Sequence, residues 1–162
     1  MAKQLPIEIF MPPNMLKAKV GGTVVGLDSA ALQRAEQAVE GLKTEFADWM
    51  ADDVRKLMDA RDGHAAMPGE VTQAKLFRVA LDLKGQALTF GYPLAARVAN
   101  SLCLLLESGN LSGTVQLIAA HVEAIRVIVR DNVKQNAPQV AAILAAELEA
   151  RVTEALAEAK KA

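Results

Sequence analysis

The stretch Leu76-Phe77-Arg78-Val79-Ala80-Leu81-Asp82-Leu83-Lys84-Gly85-Gln86-Ala87-Leu88-Thr89-Phe90-Gly91-Tyr92-Pro93 decides how the 162-residue chain is read. Leu76, Ala80, Leu83, Ala87 and Phe90 recur at steps of three and four, which gives a helix from about Glu70 to Thr89 one apolar, inward face. Phe77, Leu81, Lys84 and Leu88 fall on a second face, rotated away from the first. Gly91-Tyr92-Pro93 ends this helix. Pro93 suits the start of the next one, where its missing amide hydrogen has no intrahelical partner.

The same periodicity extends outward in both directions. Leu94, Val98, Leu102 and Leu105 stripe a short third helix that closes at Glu107-Ser108-Gly109-Asn110. Ser112 is placed to cap a fourth, striped by Val115, Ile118, Val122, Ile125 and Val129. Ala137-Pro138 interrupts the pattern, and Val140, Leu144, Leu148, Val152 and Leu156 line a last, alanine-rich helix on which Glu147 and Arg151 can pair. Upstream, Asp28 or Ser29 caps a long first helix striped by Leu32, Ala35, Val39, Leu42, Phe46, Trp49 or Met50, Val54 and Leu57. Its opposite face, with Glu36, Glu40, Lys43, Glu45, Asp52, Asp53, Arg55 and Lys56, is expected to meet water. Two glycines and a proline in Arg61–Gly69 predict a loop that leaves His64 solvated.

Residues 1–27 hold Pro6, Pro12, Pro13, Gly21, Gly22 and Gly26, a density that blocks a continuous helix. This irregular arm carries too many apolar residues, Ile7, Ile9, Phe10 and Met11 among them, for a solvated tail; it is expected to pack on the helices or on a second chain. The expected fold is all-α. An antiparallel four-helix bundle occupies 28–136, preceded by the arm over 1–27 and followed by a C-terminal helix over 137–162, packed on the bundle or extending from it.

Composition agrees with helices, because 52% of residues are hydrophobic but only 4% aromatic, and the excess is alanine, leucine and valine. With 18 basic against 19 acidic residues, no global field gathers nucleic acid or an anionic membrane, and neither is expected as a partner. The basic stripe Arg126, Arg130, Lys134 reads as a solvated face. Cys103, the single cysteine, sits in an apolar run as a small core residue, which fits a reducing compartment. No apolar stretch reaches the ~20 residues of a membrane span, and the first residues lack a secretory apolar block, so a cytoplasmic location is expected. His121, one residue before Val122, reads as a structural or surface histidine. No metal-ligand cluster, phosphate loop or nucleophile–base constellation is visible, and no cofactor is expected.

The quoted stretch resembles the signature of histidine-containing phosphotransfer domains of bacterial two-component signalling. In that family a histidine is followed by any residue, a leucine, a lysine and a glycine, and then by a phenylalanine and a glycine near the helix end. Leu83, Lys84, Gly85, Phe90 and Gly91 match, while the histidine position holds Leu81; the likeness spans about Glu70 to Glu107. A phosphorelay histidine must project from an exposed face to take a phosphoryl group from an aspartyl phosphate. Lysine three residues on offsets phosphate charge, and glycine at four leaves room for the partner. Leucine has no lone pair to attack phosphorus.

The resemblance therefore implies a non-catalytic module that docks a response-regulator receiver domain or a histidine kinase through Phe77, Leu81, Lys84, Gly85 and Leu88 without carrying phosphate at Leu81. A second reading keeps phosphotransfer and moves the acceptor to His121 or His64. A third is a structural helical oligomer, a homodimer built by the arm and the last helix.

Overall fold

A computed structural model describes residues 29–109, 113–134 and 137–159. The described residues are helical, with no strand among them: α1 Ser29–Ala66, α2 Glu70–Thr89, α3 Pro93–Glu107, α4 Val115–Arg130 and α5 Gln139–Ala159. No helix among them is long and apolar enough to cross a membrane. The chain divides into two compact units, Met1–Ala38 and Val39–Ala162. In the first, the described residues are the opening turns of α1, where Arg34 Nε donates to the Ala30 carbonyl at 3.1 Å. The arm over 1–27, and Asp28 and Ser112 as caps, lie outside the described residues.

Within the second unit, α3 is the centre. It packs against α2, α4 and α5, and ten of its fifteen residues are buried, Leu94, Val98, Leu102, Leu105 and four small residues among them. A helix that is apolar on nearly all sides must be covered on nearly all sides. From α2 it receives Leu76, Ala80, Leu83 and Ala87, the expected inward stripe. From α4 come Ile118, Val122, Ile125 and Ile128, and from α5 Ala145, Leu148 and Val152. The last helix thus packs alongside, tied to α3 by a bidentate pair in which Arg97 Nε and Nη2 donate to Glu149 at 2.6 and 2.5 Å. Glu147 pairs with Arg151 at 2.9 Å, as its spacing predicts. Val140 and Leu144, assigned to the inward stripe of this helix, are exposed instead.

The long first helix departs from expectation in three ways. It continues through Ala66, so the connection to α2 shrinks to Met67, Pro68 and Gly69; Met67 N–H still donates to the Gly63 carbonyl at 3.1 Å. Gly63 costs about 1 kcal/mol in a helix but does not stop it, whereas Pro68 disfavours helical geometry in the residue before it. Second, of the expected stripe Met50, Val54 and Leu57 are buried, joined by Ala60, while Val39, Leu42 and Trp49 remain half-exposed. The inward face is displaced by about one residue, or 100°, from the 39-42-46-49 seam. Third, Asp53 is buried rather than water-facing: one oxygen accepts from Lys56 Nζ at 2.7 Å, and Oδ2 has no partner.

The ends of α2 and α4 are stopped by the same device and joined to each other. Gly91, at φ +84°, follows α2; Tyr92 N–H donates to the Ala87 carbonyl at 2.7 Å and Gly91 N–H to Leu88 at 3.2 Å. Asn132, at φ +51°, follows α4; Val133 N–H reaches the Ile128 carbonyl at 2.9 Å and Asn132 N–H reaches Val129 at 3.1 Å. Both are Schellman terminations, which need a residue that tolerates left-handed backbone, as glycine and asparagine do. Buried Tyr92 then donates its hydroxyl to Asn132 Oδ1 at 2.8 Å, and Lys134 Nζ lies 5.1 Å from the ring centre. Removing that one hydrogen bond in Tyr92→Phe should lower stability by about 1 kcal/mol, a fall in Tm of roughly 2–4 °C read by calorimetry. In an Asn132→Gly background the same change should cost almost nothing.

Candidate functional site

A helix face is made by residues spaced three and four apart, and α2 brings Phe77, Leu81, Lys84, Gly85 and Leu88 onto one outward face. Leu81 is 45% exposed and Leu88 62% exposed, values that put both side chains largely in water. Phe77 is half-buried and leans on the core, where it borders a cleft of about 400 Å³ with Gln73, Leu106 and Glu107. Lys84 is also half-buried, with its ammonium near Cys103. Burial pushes the Cys103 thiol up, against the Lys84 charge that lowers it and with the Glu107 charge that raises it, so the free cysteine is held as a protonated core residue.

Gly85 is exposed, and a Cβ built on it would meet nothing within 4 Å. Its backbone is helical, so neither a positive φ nor an internal close approach requires glycine there. All five residues of the expected docking face are thus together on one face of one helix.

The two histidines are elsewhere and enclosed. His121 has no exposed surface. Its Nδ1–H donates to the Leu117 carbonyl at 2.7 Å, since a carbonyl only accepts, and Nε2 then accepts from the Ser101 hydroxyl at 3.1 Å. Both ring nitrogens are occupied inside the protein. Burial lowers the imidazole pKa below its usual value, opposed by the Leu117 carbonyl. His64 corrects the expectation of a solvated loop residue: it lies in the last turn of α1, 8% exposed, with Nδ1 3.0 Å from Thr72 Oγ1. The signal was present in the spacing, because Leu57, Ala60 and His64 follow one another at three and four.

The basic stripe is on the surface and paired. Arg126 binds Glu123, Arg130 binds Asp131 at 2.7 Å, and Lys134 sits over Tyr92. Together with Arg55 and Glu40 they border a groove of about 760 Å³. Among the described residues there is no group of three histidine, cysteine or acidic side chains able to hold a metal ion. No family model matches the chain, and no curated protein or solved structure matches it.

The depressed His121 pKa gives stability a pH dependence of known sign. A histidine whose folded pKa lies below its unfolded value of about 6.5 stabilises the fold above that pH. As pH falls, the unfolded chain takes up a proton that the folded chain refuses, and that contribution is lost. Glu123, Asp131 and Glu149 have lowered pKa values and begin to matter only in more acidic solution. Between about pH 7 and pH 5 the Tm should therefore drop in the parent. In His121→Gln, measured against its own value at neutral pH, the drop should be shallower.

Proposed function

We propose that this chain is a phosphotransfer-like module of two-component signalling that docks a receiver domain, or its histidine kinase, and passes no phosphate at Leu81. In this reading α1 to α4 form the antiparallel four-helix bundle of that family, α5 packs alongside, and the protein acts in the cytoplasm. Gly85 carries the proposal. An exposed mid-helix glycine costs about 1 kcal/mol relative to alanine. Nothing inside the chain comes within 4 Å of where its Cβ would be. Close approach by a partner accounts for the residue, and exposed Leu81 and Leu88 on either side supply apolar surface for it. The Leu83-Lys84-Gly85 and Phe90-Gly91 elements at phosphotransfer spacing support the choice of a receiver domain.

The carrier alternative loses support from the same geometry. A phosphoacceptor needs a ring nitrogen that reaches a bulky partner, and His121 has both nitrogens engaged in the core. His64 is likewise buried.

Two substitutions at Gly85 separate fold from docking. Gly85→Ala should raise stability by about 0.5–1 kcal/mol, because the methyl has room and alanine is the better helix former. Gly85→Arg should fold and yet weaken receiver binding, measured by calorimetry, by at least about tenfold. Lys84→Ala should have a smaller effect that disappears at high salt. Unchanged affinity in Gly85→Arg for every receiver domain that binds the parent would sink the docking face. Leu81→His should gain acid-labile phosphate from a phosphorylated receiver domain, since Lys84 and Gly85 already stand at the family spacing.

A homodimer is the second reading, favoured by a different observation. Val39, Leu42 and Trp49 are half-exposed on α1 at the three-four spacing of a coiled-coil seam, and Phe46, half-buried, lies between them. Light scattering after gel filtration should then give twice the 17.3 kDa chain mass, and Leu42→Glu with Trp49→Glu should return it to that of one chain.

A further inference from the structure

Ala47, Ala51, Val54 and Met58 repeat along α1 at steps of four, three and four, and with Val129 of α4 they floor the groove of about 760 Å³ between the two helices. Val54 is buried, Ala47, Met58 and Val129 are half-buried and Ala51 is exposed, so the floor is apolar and open along about 17 Å of α1. Alanine at 47 and 51 keeps this wall low, which lets another backbone come close.

Four cations border the floor, Arg55, Arg126, Arg130 and Lys134, against one carboxylate, Glu40. Glu40 stands fifteen residues before Arg55, about 22 Å along α1, too far to offset its charge in physiological salt. The ion pairs of α4 are oriented across the helix. Arg126 Nε donates to Glu123 at 2.9 Å and Arg130 Nε to Asp131 at 2.7 Å. Both carboxylates line the apolar cavity on the opposite flank, between α4 and α5, whereas both guanidinium groups line the groove. Each arginine gives Nε and Nη2 to its carboxylate and keeps its Nη1 hydrogens uncommitted among the described residues. Arg55 gives Nη2 to Asp52, which also stands outside the lining. Lys134 makes no ion pair among the described residues and lies 5.1 Å from the centre of the Tyr92 ring. Exposed pairs of this kind hold their partners weakly, so the guanidinium groups remain open to a further carboxylate.

We propose that this groove binds an acidic amphipathic helix of a partner protein, separately from the docking face on α2. A ligand that uses the whole groove must be apolar toward α1 and must carry anions along its edge for about three helical turns. A helix does both, because residues four apart lie one turn apart on one face, the spacing of Arg126 and Arg130 themselves. A single small anion would meet one cation and leave the others unmatched. A nucleic-acid backbone would meet the cations and leave the apolar floor uncovered.

The test is fluorescence anisotropy of the full chain with a labelled helical peptide of about 18 residues, with leucines at three- and four-residue steps and glutamates at every fourth position beside them. It should bind saturably and more weakly as salt is added, and a peptide with glutamine for every glutamate should bind at least about tenfold more weakly. Arg126→Glu combined with Arg130→Glu should cost about tenfold or more, whereas Arg78→Glu, at an exposed cation of α2 outside the groove, should change nothing. Ala51→Glu, at an exposed helical position, guards against a charge-reversed pair that fails to fold and should also cost about tenfold. Equal affinity for the two peptides, binding that survives Ala51→Glu, or no saturable binding would overturn the proposal. So would tighter binding of a single-stranded oligonucleotide of the same charge, which assigns the groove to nucleic acid. A fall in the mass of the chain by light scattering in Ala51→Glu would assign the groove to a second copy and overturn it as well.

Discussion

The burial of α3 on nearly every side is the constraint from which the positions of the other helices follow. A fifteen-residue segment whose exposed members are Pro93, Arg97, Leu104 and Glu107 cannot be stable at a surface. Alanines and a serine at 95, 96, 99 and 101 let neighbouring backbones come close, and the leucines and valine between them fill what remains. Three helices in contact with it each offer a narrow apolar stripe and keep the opposite side for water. For α2 this has a functional consequence: once Leu76, Ala80, Leu83 and Ala87 are committed to α3, Leu81, Gly85 and Leu88 are committed to solvent.

Where a helix has one stripe of strict three-four spacing, the sequence was enough to orient it. The four inward residues of α2 and Ile118, Val122 and Ile125 of α4 were legible for that reason, and with them the outward placement of the candidate site; Val115 of the expected α4 stripe is exposed, and Ile128 is buried beside Val129. In the first helix the later part of the expected stripe, Met50, Val54 and Leu57, is buried and the earlier part is not, because the helix carries two apolar seams. Val39, Leu42, Phe46 and Trp49 make one, and Met50, Val54, Leu57 and Ala60 make the other, offset by about one residue. Periodicity alone cannot tell a seam that enters the core from one that only borders it, as Phe46 and Trp49 do against Phe90. Asp53 was misplaced by the same ambiguity, since rotation of the inward face by one residue carries it inside.

The His64 error has a different origin. Gly63 and Pro68 are both helix breakers by reputation, but they act by different physics. Glycine only widens the choice of conformations open to the unfolded chain, a cost of about 1 kcal/mol that packing can offset. Proline removes a donor and clashes with the turn before it. With His64, Ala60 and Leu57 buried on one side of α1, packing offsets the glycine, and the helix runs on until the proline stops it. Read as a loop, the segment gives no sign of the cavity beside His64.

The docking face and the cavity beside His64 lie apart on α2. Gln73 borders the cavity and Gly85 centres the outward face, twelve residues or about 18 Å along the axis. The outward face offers apolar area: burying the exposed parts of Leu81 and Leu88 contributes roughly 2 kcal/mol, which aids a larger protein–protein contact but is far below what a lasting complex requires alone. A partner must therefore cover more than these residues, and the cleft beside Phe77, edged by Leu106 and Glu107, extends the surface toward α3.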